Sequence, residues 1–192
     1  VYRFADDGSN LGLDEYDADR PDGIGQGYVG SLLPAGEAGL WVGVGGSGLF
    51  LRDADSGRYR AFHHDPAVPD SLSGDYITAL AHGRSGYLWV GTRSNGLNHC
   101  RIAPWSCERF DGRSGGDRNL RHYHVTALRR DRTGGLHLAL THGSWTPADE
   151  VLVRVHEPLS VLDLLDTGTC GHSWPLPKAL AAIQASPRGA AL

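Results

Sequence analysis

Residues 77–97 read Ile77-Thr78-Ala79-Leu80-Ala81-His82-Gly83-Arg84-Ser85-Gly86-Tyr87-Leu88-Trp89-Val90-Gly91-Thr92-Arg93-Ser94-Asn95-Gly96-Leu97. Two apolar runs flank the turn Gly83–Gly86, and a third run opens after Ser94-Asn95. Short strands at even spacing, punctuated by glycine, mark an all-β chain. The stretch also recurs. A shift of 48 residues places Gly39-Leu40-Trp41-Val42-Gly43 on Tyr87-Leu88-Trp89-Val90-Gly91, Gly48-Leu49 on Gly96-Leu97, Tyr28 on Tyr76 and Phe62 on Phe110. A second shift of 48 places Ile77-Thr78-Ala79-Leu80 on Val125-Thr126-Ala127-Leu128 and Gly86 on Gly134.

One period holds four short strands: Ile77–Ala81, Tyr87–Thr92, Gly96–Arg101 and a fourth near Cys107–Phe110. A period of about 40–50 residues with four strands is a propeller blade. A helical repeat is excluded, because glycine-flanked Trp-Val-Gly-Thr is poor helix material and no segment before residue 150 has a 3.6-residue period. Trp41 and Trp89 are expected at equivalent buried positions between blades, as a repeated core requires. The third copy is degraded: His137 replaces the tryptophan, and Thr141–Pro147 replaces the short glycine turn before a strand at Val151–Val155.

The fold class predicted is therefore all-β, with about three four-stranded antiparallel blades forming an incomplete part of a larger, seven-bladed propeller. Residues 1–28 form an outer strand of a preceding blade (Val1–Phe4) plus a long loop, and the repeats span 29–76, 77–124 and 125–166. Residues 167–192 contain no acid, repeat nothing and read as a tail that is disordered or a linker, with a short helix at Lys178–Ala185. Closed propellers take 4–8 blades, so three blades leave two apolar flanks open. Isolated, such a chain is expected to be unstable or to oligomerise unless Val1–Phe4 and the tail cover those flanks.

The segment Phe62-His63-His64-Asp65-Pro66, Ser71-Leu72-Ser73, Ile77-Thr78-Ala79-Leu80 and Gly86-Tyr87-Leu88-Trp89-Val90-Gly91-Thr92 resembles the two-component regulator propeller repeat. The resemblance covers about residues 29–140 and is specific in the middle copy. Val44 stands for the threonine in the first copy, and Gly83 stands where that repeat has an aspartate, which Asp131 keeps in the next copy. The resemblance implies a non-catalytic sensor segment on the periplasmic or extracellular side of a bacterial inner-membrane receptor. In that family the output is a histidine kinase or diguanylate cyclase, and glycans or small polar ligands are sensed. No phosphoacceptor helix or ATP-binding glycine box is present in this sequence, so no enzyme activity and no cofactor are expected of it.

Composition limits the alternatives. An apolar content of 40% with 21% charged residues excludes a disordered acidic tail. The formal charge of −4 argues against a nucleic-acid partner. No run approaches the 18 apolar residues of a membrane span. Acids dominate residues 1–22, seven against two arginines, and arginines dominate 101–132, eight against four acids. Cys100 and Cys107 flank a short Pro-containing turn that a cross-strand disulfide could use; two unpaired thiols are the alternative, and no spacing among the three cysteines fits zinc.

The first strand of a blade runs along the central channel, so the connections fourth-to-first and second-to-third emerge on one face. The long connections Ala5–Tyr28, His63–Tyr76, Asp111–His124 and His142–Glu150 all lie there, and long loops on a rigid scaffold carry binding. The candidate ligand site at the channel mouth comprises Tyr28, Asp75, Tyr76, Arg93, Asn95, His122, Tyr123, His124, His142 and Trp145. Aromatic rings beside amide and charged groups suit a sugar or small polar molecule. Asp17, Asp19 and Asp22 approximate a calcium loop but lack its closing glutamate, so no metal is assigned. The alternative functions are an extracellular propeller lyase or glycan-active enzyme using His122, His124 or His142 with a metal, and a purely structural scaffold. Expected partners are a small-molecule or oligosaccharide ligand, the remaining blades of a parent chain and a second copy in a homodimer.

Overall fold

A computed structural model describes residues 1–110, 120, 124–132, 134–143, 145–148, 152–154, 181–183, 185, 186 and 188–191. The strands are β1 (Tyr2–Phe4), β2 (Asn10–Leu13), β3 (Val29–Pro34), β4 (Gly39–Val44), β5 (Gly48–Asp53), β6 (Tyr59–Phe62), β7 (Ile77–His82), β8 (Tyr87–Thr92), β9 (Leu97–Arg101), β10 (Ser106–Phe110), β11 (His124–Arg130), β12 (Leu136–His142), β13 (Leu152–Arg154) and β14 (Gly189–Ala191). Sheets β3-β4-β5-β6 and β7-β8-β9-β10 are antiparallel meanders, the two complete blades foreseen from the repeat. The fold is that of propeller blades.

The 48-residue register reappears in three dimensions. Each inner strand bulges at the same place, between Val29 and Ser31, Ile77 and Ala79, and Val125 and Ala127. Next to those bulges adjacent blades meet: the Thr78 hydroxyl donates to the Val125 carbonyl at 2.7 Å. The glycine of each Trp-Val-Gly motif makes room for the next blade. A Cβ on Gly43 would lie 2.6 Å from Ile77 Cγ2, and one on Gly91 would lie 2.4 Å from Val125 Cγ1. A side chain at either position would therefore force the packed neighbour on the next blade to shift.

The main core lies between the two complete blades and contains Trp41, Leu49, Phe62, Leu72, Ile77, Leu80, Leu88, Val90, Cys100 and Cys107. Cys100 and Cys107 sit directly opposite each other on β9 and β10 and form a disulfide, which decides between the two readings of that pair. Trp41 is 2% exposed, enclosed by Phe62 and by Trp105 from the β9–β10 turn of the next blade. Trp89 corrects the expectation of equal burial: it is half-buried, stacked on His99 at 4.1 Å. The residue 48 positions after Trp105 is Val153, which lies in β13, a strand instead of a covering turn.

The third sheet departs from a meander. Its order is β11-β12-β14-β13, with β14 antiparallel to β12 and parallel to β13. In the complete blades the turn into the third strand rests on Gly48 (φ +92°) and Gly96 (φ +74°), where a Cβ would approach the carbonyl oxygens of Phe62 and Phe110. The residue 48 positions after Gly96 is Ser144, which lies outside the described residues. Part of the C-terminal segment docks here: Ile183 is 1% exposed and packs with Ala79, Val125 and Leu140. The sequence alone offered no reason for that docking.

Strand β1 pairs with β2 instead of standing alone. Val1 and Ile24 pack against Val42, Val44, Phe50 and Tyr59 on the free flank of the first blade.

Candidate functional site

Backbone pairing brings the ends of the inner strands to one mouth. The Tyr28 carbonyl accepts from Gly45 N–H at 2.9 Å, and the Tyr76 carbonyl accepts from Arg93 N–H at 3.0 Å, the same bond one repeat later. His124 begins β11 and pairs with Thr141 on β12. Between these ends lies an open cleft of about 450 Å³ lined by Tyr28, Arg93, Ser94, His124, Thr141, His142 and Gly143.

Its electrostatics follow from the neighbours. The Arg93 guanidinium lies 5.0 Å from the centre of the Tyr76 ring and donates to the Tyr76 hydroxyl at 3.1 Å. Tyr28 meets Tyr76 edge-on, with ring centroids 5.6 Å apart. Its hydrogen bond to Tyr76, helped by partial burial, holds Tyr28 above the usual phenol range. The same bond, together with Arg93, holds Tyr76 below it. Burial, reinforced by the charge of Arg93, lowers His124 and favours the neutral ring. Thr126 and Thr141 share a hydroxyl hydrogen bond of 2.9 Å beside the cleft.

Four residues named from the sequence line this cleft: Tyr28, Arg93, His124 and His142. Tyr76 stands behind them and orients Arg93. Asp75 is engaged elsewhere, its carboxylate accepting from the His64 N–H at 2.6 Å and its carbonyl from Gly46 and Gly48. The Asn95 side chain packs where a Cβ on Gly74 would stand, and the Asn95 backbone N–H donates to the Thr92 hydroxyl. Trp145 is 40% exposed and outside the lining. His122 and Tyr123 lie outside the described residues. Ser94, Thr141 and Gly143 were missed, although each is a chain neighbour of a candidate and the strand-end rule that selected Arg93 and His142 reaches them.

Asp17 and Asp22 of the acidic loop are engaged with protein groups. The Asp17 carboxylate accepts from the Asp19 N–H at 3.0 Å, and Asp22 pairs with Arg58 at 3.2 Å. Among the described residues no group of three or more His, Cys, Asp or Glu side chains is placed to hold a metal ion. The connection His63–Tyr76 is largely a strap across the second blade. Ser71, Leu72 and Ser73 are buried, and Arg109 donates to the carbonyls of Ser71 and Val68 and to the Ser71 hydroxyl. Asn98, fully buried, accepts from Ser73 N–H at 2.8 Å and donates to the Ser73 hydroxyl at 3.0 Å.

The strap, the β7–β8 hairpin and the Arg93 turn coincide with the match to the two component regulator propeller family model, residues 71–94. Residues 71–94 are thus similar to a two-component regulator propeller repeat. Two solved structures share the fold, both extracellular domains from B. thetaiotaomicron. One belongs to a hybrid two component system (TM-score 0.56, 17% identity, covering 72% of this chain and 18% of that one). The other belongs to a one component system (TM-score 0.52, 16% identity, 79% and 19%). Among the described residues no helix is long and apolar enough to cross a membrane.

A different likeness occupies the C-terminal part. Residues 113–192 match the GTP cyclohydrolase II family model, a span that takes in β11–β14. The chain is 47% identical over 57 residues to a 3,4-dihydroxy-2-butanone 4-phosphate synthase of Neisseria meningitidis serogroup A, covering 30% of this chain and 15% of that protein. It is 35% identical over 74 residues to the riboflavin biosynthesis protein RibBA of Cytophaga hutchinsonii, covering 38% and 18%. The chain thus spans 15–18% of the length of these curated relatives.

Proposed function

We propose that the propeller repeats act as a non-catalytic sensor segment of a bacterial signalling receptor, binding a small polar ligand of the glycan class at the channel mouth. The observation that carries this reading is the open cleft in which Tyr28, Arg93, His124 and His142 converge from the strand ends of three neighbouring sheets. Concave sites with a few converging polar groups are where small ligands bind. The fold shared with extracellular domains of signalling systems supports a periplasmic or extracellular setting. The remaining blades of a parent chain and a second copy are proposed as its protein partners. The test is calorimetric titration of the chain with a panel of oligosaccharides. Saturable binding that weakens at least tenfold in Tyr28→Ala supports the site; binding indifferent to Tyr28→Ala and Arg93→Ala places the ligand elsewhere.

The match of residues 113–192 to GTP cyclohydrolase II favours a second reading, in which the C-terminal segment is a portion of an enzyme that acts on GTP. Incubation of the chain with GTP, followed by chromatography of the nucleotide, separates the two. Turnover establishes the enzyme reading, and unchanged GTP alongside saturable saccharide binding favours the sensor.

A further inference from the structure

We propose that the channel-mouth cleft selects an anionic ligand, a saccharide bearing a carboxylate or sulfate, and that Arg93 is the residue that grips the anion. This rests on the sensor reading and specifies its ligand class.

The first observation is the lining. Although the chain carries 22 acids against 18 basic residues, the cleft is formed, among the described residues, by an arginine, two histidines, a tyrosine, a serine, a threonine and a glycine, and no carboxylate is among them. Asp75, the chain neighbour of Tyr76, is turned away and accepts from the His64 backbone.

The second observation is how Arg93 is held. Arg3, Arg52 and Arg58 are each paired with an aspartate at 2.8–3.5 Å. Among the described residues no carboxylate pairs with Arg93; its guanidinium donates to the Tyr76 hydroxyl and lies over the Tyr76 ring. One Nη1 bond and a ring contact orient the plane without neutralising it, which leaves donors of the fork for a bidentate contact to a planar or tetrahedral oxyanion. Tyr76 is steadied in turn by the edge of Tyr28, so Tyr76 is a positioning residue and Arg93 the binding one. The hydroxyl of Ser94 and the rings of His124 and Tyr28 remain for sugar hydroxyls and the sugar face, beside the Thr141 hydroxyl that is already bonded to Thr126. With His124 biased toward its neutral form by burial and by Arg93, the fixed positive charge of the lining resides on the arginine.

The experiment titrates the full chain calorimetrically with digalacturonic acid, a sulfated disaccharide and neutral galactobiose. Each titration is run at low and at elevated salt, and repeated with Arg93→Gln, Arg93→Lys and Tyr76→Phe. The expected result is a preference of about ten- to a hundredfold for one or both acidic sugars over galactobiose, shrinking with salt. The carboxylate and sulfate arms show which anion is taken. Arg93→Gln should abolish the preference, Arg93→Lys should keep part of it because charge survives without the fork, and Tyr76→Phe should weaken acidic binding several-fold while leaving galactobiose unchanged. Galactobiose binding as well as the acidic sugars, or an acidic preference that survives Arg93→Gln, overturns this proposal and leaves the sensor reading standing. No binding by any of the three overturns both.

Discussion

Gly91 carries no side chain because Val125 of the next blade occupies the place where one would stand, and Gly43 yields the same place to Ile77. The glycine of the Trp-Val-Gly motif thus sets the distance between blades, and its recurrence at 48 residues is a packing requirement. Adding bulk to a filled interior costs about 1–3 kcal/mol. Gly43→Val should therefore lower stability by about that amount, read as a lower urea midpoint with little change in slope. An unchanged midpoint would show that the blades have room to separate. The tryptophans beside these glycines are not equals: Trp41 has the Trp105 turn over it, and Trp89 is left half-buried.

At the scale of elements, the Asp65–Ser73 segment shows why a long connection need not be a binding loop. The Ser71 hydroxyl accepts from Asp65 N–H at 2.8 Å and donates to the Asp65 carbonyl at 2.9 Å, which closes the loop on itself. Arg109 and Asn98 then fasten it to β10 and β9. Asn98→Ala would strand the buried Ser73 N–H without its acceptor, a loss of about 1–3 kcal/mol. Thermal melts should show it, and hydrogen exchange should place the added exposure in residues 70–76. Exchange that rises uniformly, or a melt unchanged from the parent, would count against the strap. The pairing of Cys100 with Cys107 on the same two strands reinforces the edge that the strap crosses.

Across the whole molecule, the N-terminal segment and the first blade are joined at Asp14. Its carboxylate accepts from Arg52 Nε at 2.8 Å and from the Tyr59 hydroxyl at 2.9 Å, with Arg3 at 3.5 Å. Burial works to raise Asp14, but Tyr59, Arg52 and Arg3 outweigh it and hold the carboxyl below its ordinary value. Burial and the bond to Asp14 push the Tyr59 phenol up. A carboxyl whose folded pKa lies below its unfolded value of about 3.9 contributes stability above that value. The contribution is lost as pH falls through the lower folded value. Melting temperature should therefore decline more steeply below about pH 4 in the parent than in Asp14→Asn, where this contribution is absent at every pH. Parallel declines would show that Asp14 does not couple the two parts. The sequence predicts an open flank on the first blade; Val1 and Ile24 cover part of it, while Tyr2, Phe4 and Leu11 of the hairpin stay exposed.

Repeat spacing and alternation were enough to determine the strands of two blades and the candidate mouth, because each depends on residues close in sequence or one period apart. Tyr28, Arg93, His124 and His142 could be named for the same reason: they sit at strand ends whose positions the period dictates. Tertiary structure alone decided which mouth residues face the cleft. Asp75 turns to an amide 11 residues away and Asn95 to the space beside Gly74, and neither partner is implied by local pattern. It also decided the third sheet, where the β12 edge is filled from the distant segment Gly189–Ala191, and where Ile183 meets Val125. An edge strand presents unpaired backbone donors and acceptors to any strand that can reach it, so its partner is selected by proximity in the folded chain, which no spacing along the sequence records.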